Sequence, residues 1–438
     1  MAKKPSNIKL KKKNSKNVHA GVGISKSEDP YKAGVDAVKM AIKKAGKPPE
    51  FGVVFCSGAK YGKDEATIKK LVKGANDEFK KHNKSCRWIG CTTAGEISNY
   101  GYTENSCVAL SLTSDFVNVG IGVSEGVAKA AYNSGKTAVN KALTDLKIDK
   151  YLFPYVRFLE TKRKTAEEIM NLNPYTVITL CPGSTMTYAG LESDVINGIA
   201  DVIGAHIPLI GGSAGDGFNF KQTYQFANGK LYKDAVITAV FVLGVVSETG
   251  VGHGYKPTDN IVLVTESEGK MVKTLNNKPA IEVYSKLTGK TLKELEGPKP
   301  AWVGTEFPFG VVDMEGKYWI KSPQAQVDSS LMFFSNIPKN SLLALMKPTK
   351  ENTLNVCKNS LPILKDTIAS ILFDCGGRKT FLGKSCSKEN SLIKKTLKDT
   401  PFIGFYSYAE IGYSFRTPPT ICNETLVSFS ISNKLLSE

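Results

Sequence analysis

A chain of 438 residues with 41% hydrophobic and 23% charged positions is a globular protein, too long for one ordinary core. Its longest apolar run, 237–246, is about half of the ~20 residues a membrane-spanning helix needs, so no span is expected. Nine scattered cysteines argue against a disulfide framework and show no paired zinc spacing, and only four histidines accompany them, so no metal site is expected. Seven lysines among the first sixteen residues carry much of the +17 net charge, which makes nucleic acid an unlikely partner.

Residues 1–20 read as a basic, disordered tail. Ile8-Lys9-Leu10-Lys11-Lys12-Lys13 is not the continuous apolar segment that follows the basic start of a secretory signal, so a cytoplasmic protein is expected. Asp29-Pro30 is an N-cap acid with Pro at the first helical position. Val35, Val38 and Ile42 then share one helical face until Gly46 and Pro48 end the pattern.

A unit recurs along the chain. Ile89-Gly90-Cys91-Thr92-Thr93-Ala94-Gly95-Glu96-Ile97 aligns without gaps on Ile403-Gly404-Phe405-Tyr406-Ser407-Tyr408-Ala409-Glu410-Ile411, and Ile210-Gly211-Gly212-Ser213-Ala214-Gly215-Asp216 is a shorter version. Upstream of each, a β-rich run ends in Cys56, Cys181 or Cys375 followed by small residues. The Cys-to-acid separations are 40, 35 and 35 residues, enough for a loop, a helix and a second strand. Ile68, Leu71, Val72 and Ala75 have helical spacing in the first unit. Val195, Ile199, Val202 and Ile203 repeat it in the second, and Leu392, Ile393 and Leu397 sketch a shorter helix in the third. Further β runs at 108–112, 117–123, 235–246 and 425–430 add antiparallel strands.

From 276 to about 350 the pattern changes to a helix near 280–287 and a strand pair within 309–320, joined by Met314-Glu315-Gly316-Lys317. The expected architecture is α/β, of α+β type, with repeated strand-helix-strand units, mixed sheets and two domains: 21–274, holding two repeated units, and 275–438.

These residues also carry a family resemblance. Gly90-Cys91-Thr92-Thr93-Ala94-Gly95-Glu96-Ile97 and Gly211-Gly212-Ser213-Ala214-Gly215-Asp216 resemble two motifs of the FIST N-terminal domain. Pro279-Ala280-Ile281-Glu282-Val283-Tyr284, Phe307-Pro308-Phe309-Gly310 and Pro401-Phe402-Ile403-Gly404 through Gly412 are similar to markers of the FIST C-terminal domain. The resemblance implies a non-catalytic input domain for signal transduction that binds a small ligand such as an amino acid, with a subgroup that carries haem and senses nitric oxide. No output module follows 425–430 in this sequence, so a separate signalling protein is the expected partner. Ala409 stands where Gly is usual, and would be strained if that backbone position needed positive φ. Cys422 stands where His is common, which removes an imidazole that would serve as haem ligand. No cofactor is therefore assigned.

Small residues after a β run leave backbone N–H groups uncovered for an anionic group, which singles out Thr92, Thr93, Gly95, Ser213 and Gly215; the same residues also suit tight turns. Glu96, Asp216 and Glu410 close the three loops and would accept a ligand ammonium, or cap nearby backbone. Arg378 would pair with a ligand carboxylate, and Tyr408, near Tyr406 and Tyr413, would supply a pocket wall. His253, in an exposed-looking Gly-His-Gly context, is the candidate ligand if haem binds. The competing reading is a thiol-dependent enzyme with Cys56, Cys181 or Cys375 as a strand-end nucleophile, although none sits in a G-x-C-x-G frame.

Overall fold

The computed structural model describes residues 17–162, 173–186, 190–313, 315–362, 364, 366–414 and 417–436. Most of the expected basic tail (1–16) and Met314 of the expected turn lie outside them.

The first repeat holds β1 (His19–Ser25), β2 (Phe51–Ser57), β3 (Arg87–Thr93), β4 (Glu96–Ser98), β5 (Gly101–Thr103) and β6 (Cys107–Thr113). Asp29 caps the helix Pro30–Ala45 by accepting from the N–H groups of Tyr31 and Lys32, and Gly46 ends it at φ 71°. The helix Glu65–His82 packs beside it. At their crossing a Cβ on Gly34 would stand 2.3 Å from Leu71 O, and one on Gly74 would stand 2.1 Å from Tyr31 O, so only glycine permits this approach.

The second repeat holds β7 (Val117–Glu125), β8 (Thr176–Cys181), β9 (Leu209–Ser213), β10 (Gln225–Ala227), β11 (Lys230–Tyr232) and β12 (Ala235–Leu243). Its helices Val127–Leu146 and Glu192–Ile203 cross at Gly135 and Gly198, each with a backbone carbonyl within 2.2 Å of where a Cβ would be. The run expected at 235–246 is two strands that part at Gly244. The second of them, β13 (Val245–Gly252), opens the next repeat.

An insertion follows: β14 (Tyr255–Glu268), β15 (Met271–Leu275), β16 (Lys278–Pro279), β17 (Phe309–Val312), β18 (Tyr318–Lys321), β19 (Pro323–Val327), β20 (Ser330–Phe333) and β21 (Leu342–Pro348) form one eight-stranded sheet. The helix Ala280–Thr288 covers it, with Tyr284, Phe309 and Phe333 in its core. The third repeat then resumes with β22 (Thr367–Cys375), β23 (Phe402–Ser407), β24 (Glu410–Ser414), β25 (Thr417–Cys422) and β26 (Leu426–Leu435).

The three six-stranded sheets run β1-β6-β2-β3-β10-β11, β7-β12-β8-β9-β24-β25 and β13-β26-β22-β23-β4-β5. In each, the Cys-terminated strand lies parallel to the strand that leads into the small-residue loop, and its other neighbour is antiparallel. The last two places are taken by a hairpin from another repeat. The first repeat gives β4-β5 to the third sheet, the second gives β10-β11 to the first, and the third gives β24-β25 to the second. The inner faces share one apolar core, in which Phe55 lies 4.5 Å from Phe405 and Phe51 lies 5.1 Å from Phe241, ring centre to ring centre. Among the described residues, no helix is long and apolar enough to cross a membrane.

Candidate functional site

The exchange of hairpins makes the loops after β3, β9 and β23 the points where the chain crosses between sheets, so all three come together. The Gly215 N–H donates to Thr92 O at 2.9 Å, the Ala94 N–H to Tyr406 O at 3.0 Å and the Ser213 N–H to Ala409 O at 2.9 Å. Each loop is thereby bonded to the other two. Gly95 adopts φ 142°, which requires glycine, and a Cβ on Gly215 would stand 2.7 Å from Ala94 N. Ala409 is not at positive φ, so the substitution noted in the sequence brings no backbone strain.

Each loop begins with a hydroxyl bonded to a buried carboxyl. Thr93 Oγ1 donates to Glu96 Oε1 and Ser407 Oγ to Glu410 Oε1, both at 2.6 Å. In the second repeat the acceptor is Glu192, 2.7 Å from Ser213 Oγ, and not the aligned Asp216. Thr92 is buried as well, its hydroxyl taken by Tyr224. Burial pushes Glu96 up to about 7, against the pull of its bonds from Thr93, Ser106 and Thr103.

Asp216 does a different job. It accepts from the N–H groups of Phe220 (2.9 Å), Lys221 (2.7 Å) and Gln222 (3.2 Å) and from the Tyr408 hydroxyl, which in turn accepts from Phe218 N–H at 2.7 Å. These bonds hold Phe218 at φ 66° and Phe220 at φ 52°, a region that costs a bulky residue about 1–2 kcal/mol. Both rings stack on Tyr408, at 5.8 and 4.8 Å between centres.

Behind the third loop lies a charged cluster. Arg378 is fully buried. Its Nε donates to Asp374 Oδ1 at 2.7 Å and its Nη2 to Thr353 O and Glu389. Glu389 also accepts from Tyr406 at 2.6 Å, and Glu424 accepts from Tyr255 at 3.1 Å. One guanidinium thus serves two buried carboxyls, Asp374 and Glu389. Burial and the charge of Glu389 push the Asp374 carboxyl up while the adjoining Arg378 charge and hydrogen bond pull it back down, and burial pushes Glu424 up. Arg378 Nη1, Asp374 Oδ2 and Glu410 Oε2 are buried with no hydrogen-bond partner of ordinary length among the described residues; the weakly donating Cys375 thiol stands beside the Glu410 carboxyl.

All ten residues singled out in the sequence are buried in or beside this ring. Sequence reasoning missed Asp374, Glu389, Glu424, Glu192, Phe218 and Phe220. Asp374 did leave a signal, as an acid inside the apolar run Ile371-Leu372-Phe373. His253 is half-buried, contrary to its exposed-looking context, with Nε2 2.7 Å from Tyr318 O, and burial pushes its pKa down. Cys56, Cys181 and Cys375 are buried and their thiols are pushed up by burial, which holds them protonated near neutral pH. A cavity of about 270 Å³ is lined by His253, Trp319 and Thr425 and by none of the charged residues of the cluster. A larger groove of about 750 Å³ follows the outer strand β13 and is lined by none of the ten residues.

A family model described as the FIST N domain matches residues 50–278, and one described as the FIST C domain matches 280–413. An uncharacterised protein of Methanocaldococcus jannaschii, MJ1623, is 24% identical over 356 residues, which are 76% of this chain and 62% of that protein, so this chain spans less than two thirds of the relative's length. Among solved structures, the cyanuric acid hydrolase of A. caulinodans is similar at a TM-score of 0.38 and 9% identity, covering 95% of this chain and 99% of that one.

Proposed function

Because this chain belongs to the FIST family, whose domains are generally regarded as sensory domains in signal transduction, we propose that it binds a free α-amino acid and reports it to a separate signalling protein. The observation that carries this reading is the set of open atoms in the buried cluster. Arg378 Nη1 is a charged donor, while Asp374 Oδ2 and Glu410 Oε2 are acceptors, all within one group of bonded residues. A zwitterion is their complement: its carboxylate suits the guanidinium and its ammonium suits the carboxylates. A buried polar atom without a partner costs about 1–3 kcal/mol, which a fitting ligand would recover. Nine free, buried cysteines agree with action in a reducing compartment.

A thermal-shift screen of the full chain against single amino acids, with haem as a separate arm, tests this. A ligand that binds only the folded state adds about 2.7 kcal/mol at 100 times its Kd. One amino acid is expected to raise Tm, and Arg378→Lys or Glu410→Gln is expected to abolish the rise. No rise with any of them, or a haem absorption band in its place, would sink the proposal.

A further inference from the structure

The loop Gly217–Gln222 lies against the turn that leads into the helix carrying Arg378. A Cβ added at Gly376 would meet the Phe218 ring at 3.0 Å, so that ring lies directly on the turn joining Cys375 to the helix that carries Arg378. Phe218 is only half-buried and Asn219 beside it is exposed, while Cys375 is 5% exposed. Lys379 Nζ stands 5.0 Å over the Phe218 ring and donates to Ala94 O at 2.7 Å, and the half-exposed Trp302 of the insertion lies 6.4 Å from it, ring centre to ring centre. The two left-handed aromatic residues are held by one carboxylate and one phenol, Asp216 and Tyr408, neither of which belongs to the cluster behind them.

We infer that Asp216 and Tyr408 are positioning residues that latch Phe218 over Gly376, and that release of this latch opens the route to the Arg378 cluster. The inference rests on the ligand site proposed above, yet the latch has a readout that needs no ligand. Strain stored in Phe218 and Phe220 favours opening, and the bonds to Asp216 and Tyr408 oppose it, so the two states are balanced by this pair of side chains. Tyr408 links the latch to the ring, because its own N–H donates to Ser213 O at 3.3 Å.

The test is the rate at which iodoacetamide alkylates each of the nine cysteines of the full chain, followed by mass spectrometry at one pH. In Phe218→Gly, which keeps a backbone free to adopt positive φ, Cys375 is expected to react at least tenfold faster than in the natural chain while the other eight keep their rates. Asp216→Asn is expected to do the same to a smaller degree. An unchanged Cys375 rate in Phe218→Gly overturns the latch, and so does an equal rise at all nine cysteines, which would mark general loosening. A fast Cys375 in a protein that binds no amino acid would leave the latch standing and remove only the ligand reading.

Discussion

Ser213 and Glu192 are joined by a 2.7 Å hydrogen bond between two buried side chains from different elements, the end of β9 and the start of a helix. The equivalent hydroxyls of the other repeats find their acid three residues on, within the same loop. Removing the hydroxyl leaves a Glu192 oxygen buried without its donor, so Ser213→Ala is expected to cost about 1–3 kcal/mol. Urea denaturation would measure it, and a change under 0.5 kcal/mol would mean that another donor replaces Ser213. Asp216→Asn is expected to leave this bond intact and act only on the loop that follows.

That pair also marks how far the sequence could be read. Helix starts were legible where capping chemistry is local, as at Asp29-Pro30, and the strands were legible from their apolar runs. Pairing partners were not, because alternation says which face of a strand is buried but not which sheet it joins. The alignment put Asp216 level with Glu96 and Glu410, yet only space decides that Glu192 reaches Ser213. Arg378 was noticed as a partner for a ligand carboxylate, while the carboxyls it actually pairs with, Asp374 and Glu389, come from a strand and a separate helix. The crossing glycines Gly34 and Gly74 were invisible for the same reason: a close approach between helices leaves no periodic mark.

The pH dependence of stability should carry the signature of Glu96. Its folded pKa, about 7, lies above the ordinary carboxylic value near 4.5, so the folded chain holds this proton more tightly than the unfolded one. The associated stability is fully present below about pH 4.5 and is lost as pH rises through 7, a difference of about 3 kcal/mol at most. Glu96→Gln has no such proton. Unfolding curves at pH 5 and pH 8 are expected to differ less for Glu96→Gln than for the natural chain, and equal differences would show that Glu96 is ionised throughout.

Arg378 has no solvent to fall back on. Replacing it by Met leaves Asp374 and Glu389 buried without their shared cation, and loss of one member of a buried pair costs about 3–5 kcal/mol. Changing Asp374→Asn and Glu389→Gln together with Arg378→Met removes the unpaired charges and is expected to restore part of that loss. A single replacement within 1 kcal/mol of the natural chain in urea would place the charge of Arg378 outside the energetics of the core.

Hairpin exchange ties residues before 278 to residues after 280, although the two family models meet there. In a fragment ending at 278, β4 has no β23 to pair with, β9 loses β24 and β13 loses β26. The inner core loses Phe405 from Phe55 and Phe429 from Phe241. Three unpaired sheet edges and an opened apolar face favour association over a folded monomer. The fragment is therefore expected to bind a hydrophobic dye and to lack a cooperative unfolding transition, and addition of the separate 279–438 fragment is expected to restore that transition. A sharp two-state unfolding of the first fragment alone, as a monomer by light scattering, would show instead that the exchanged hairpins are attached to a core already complete without them.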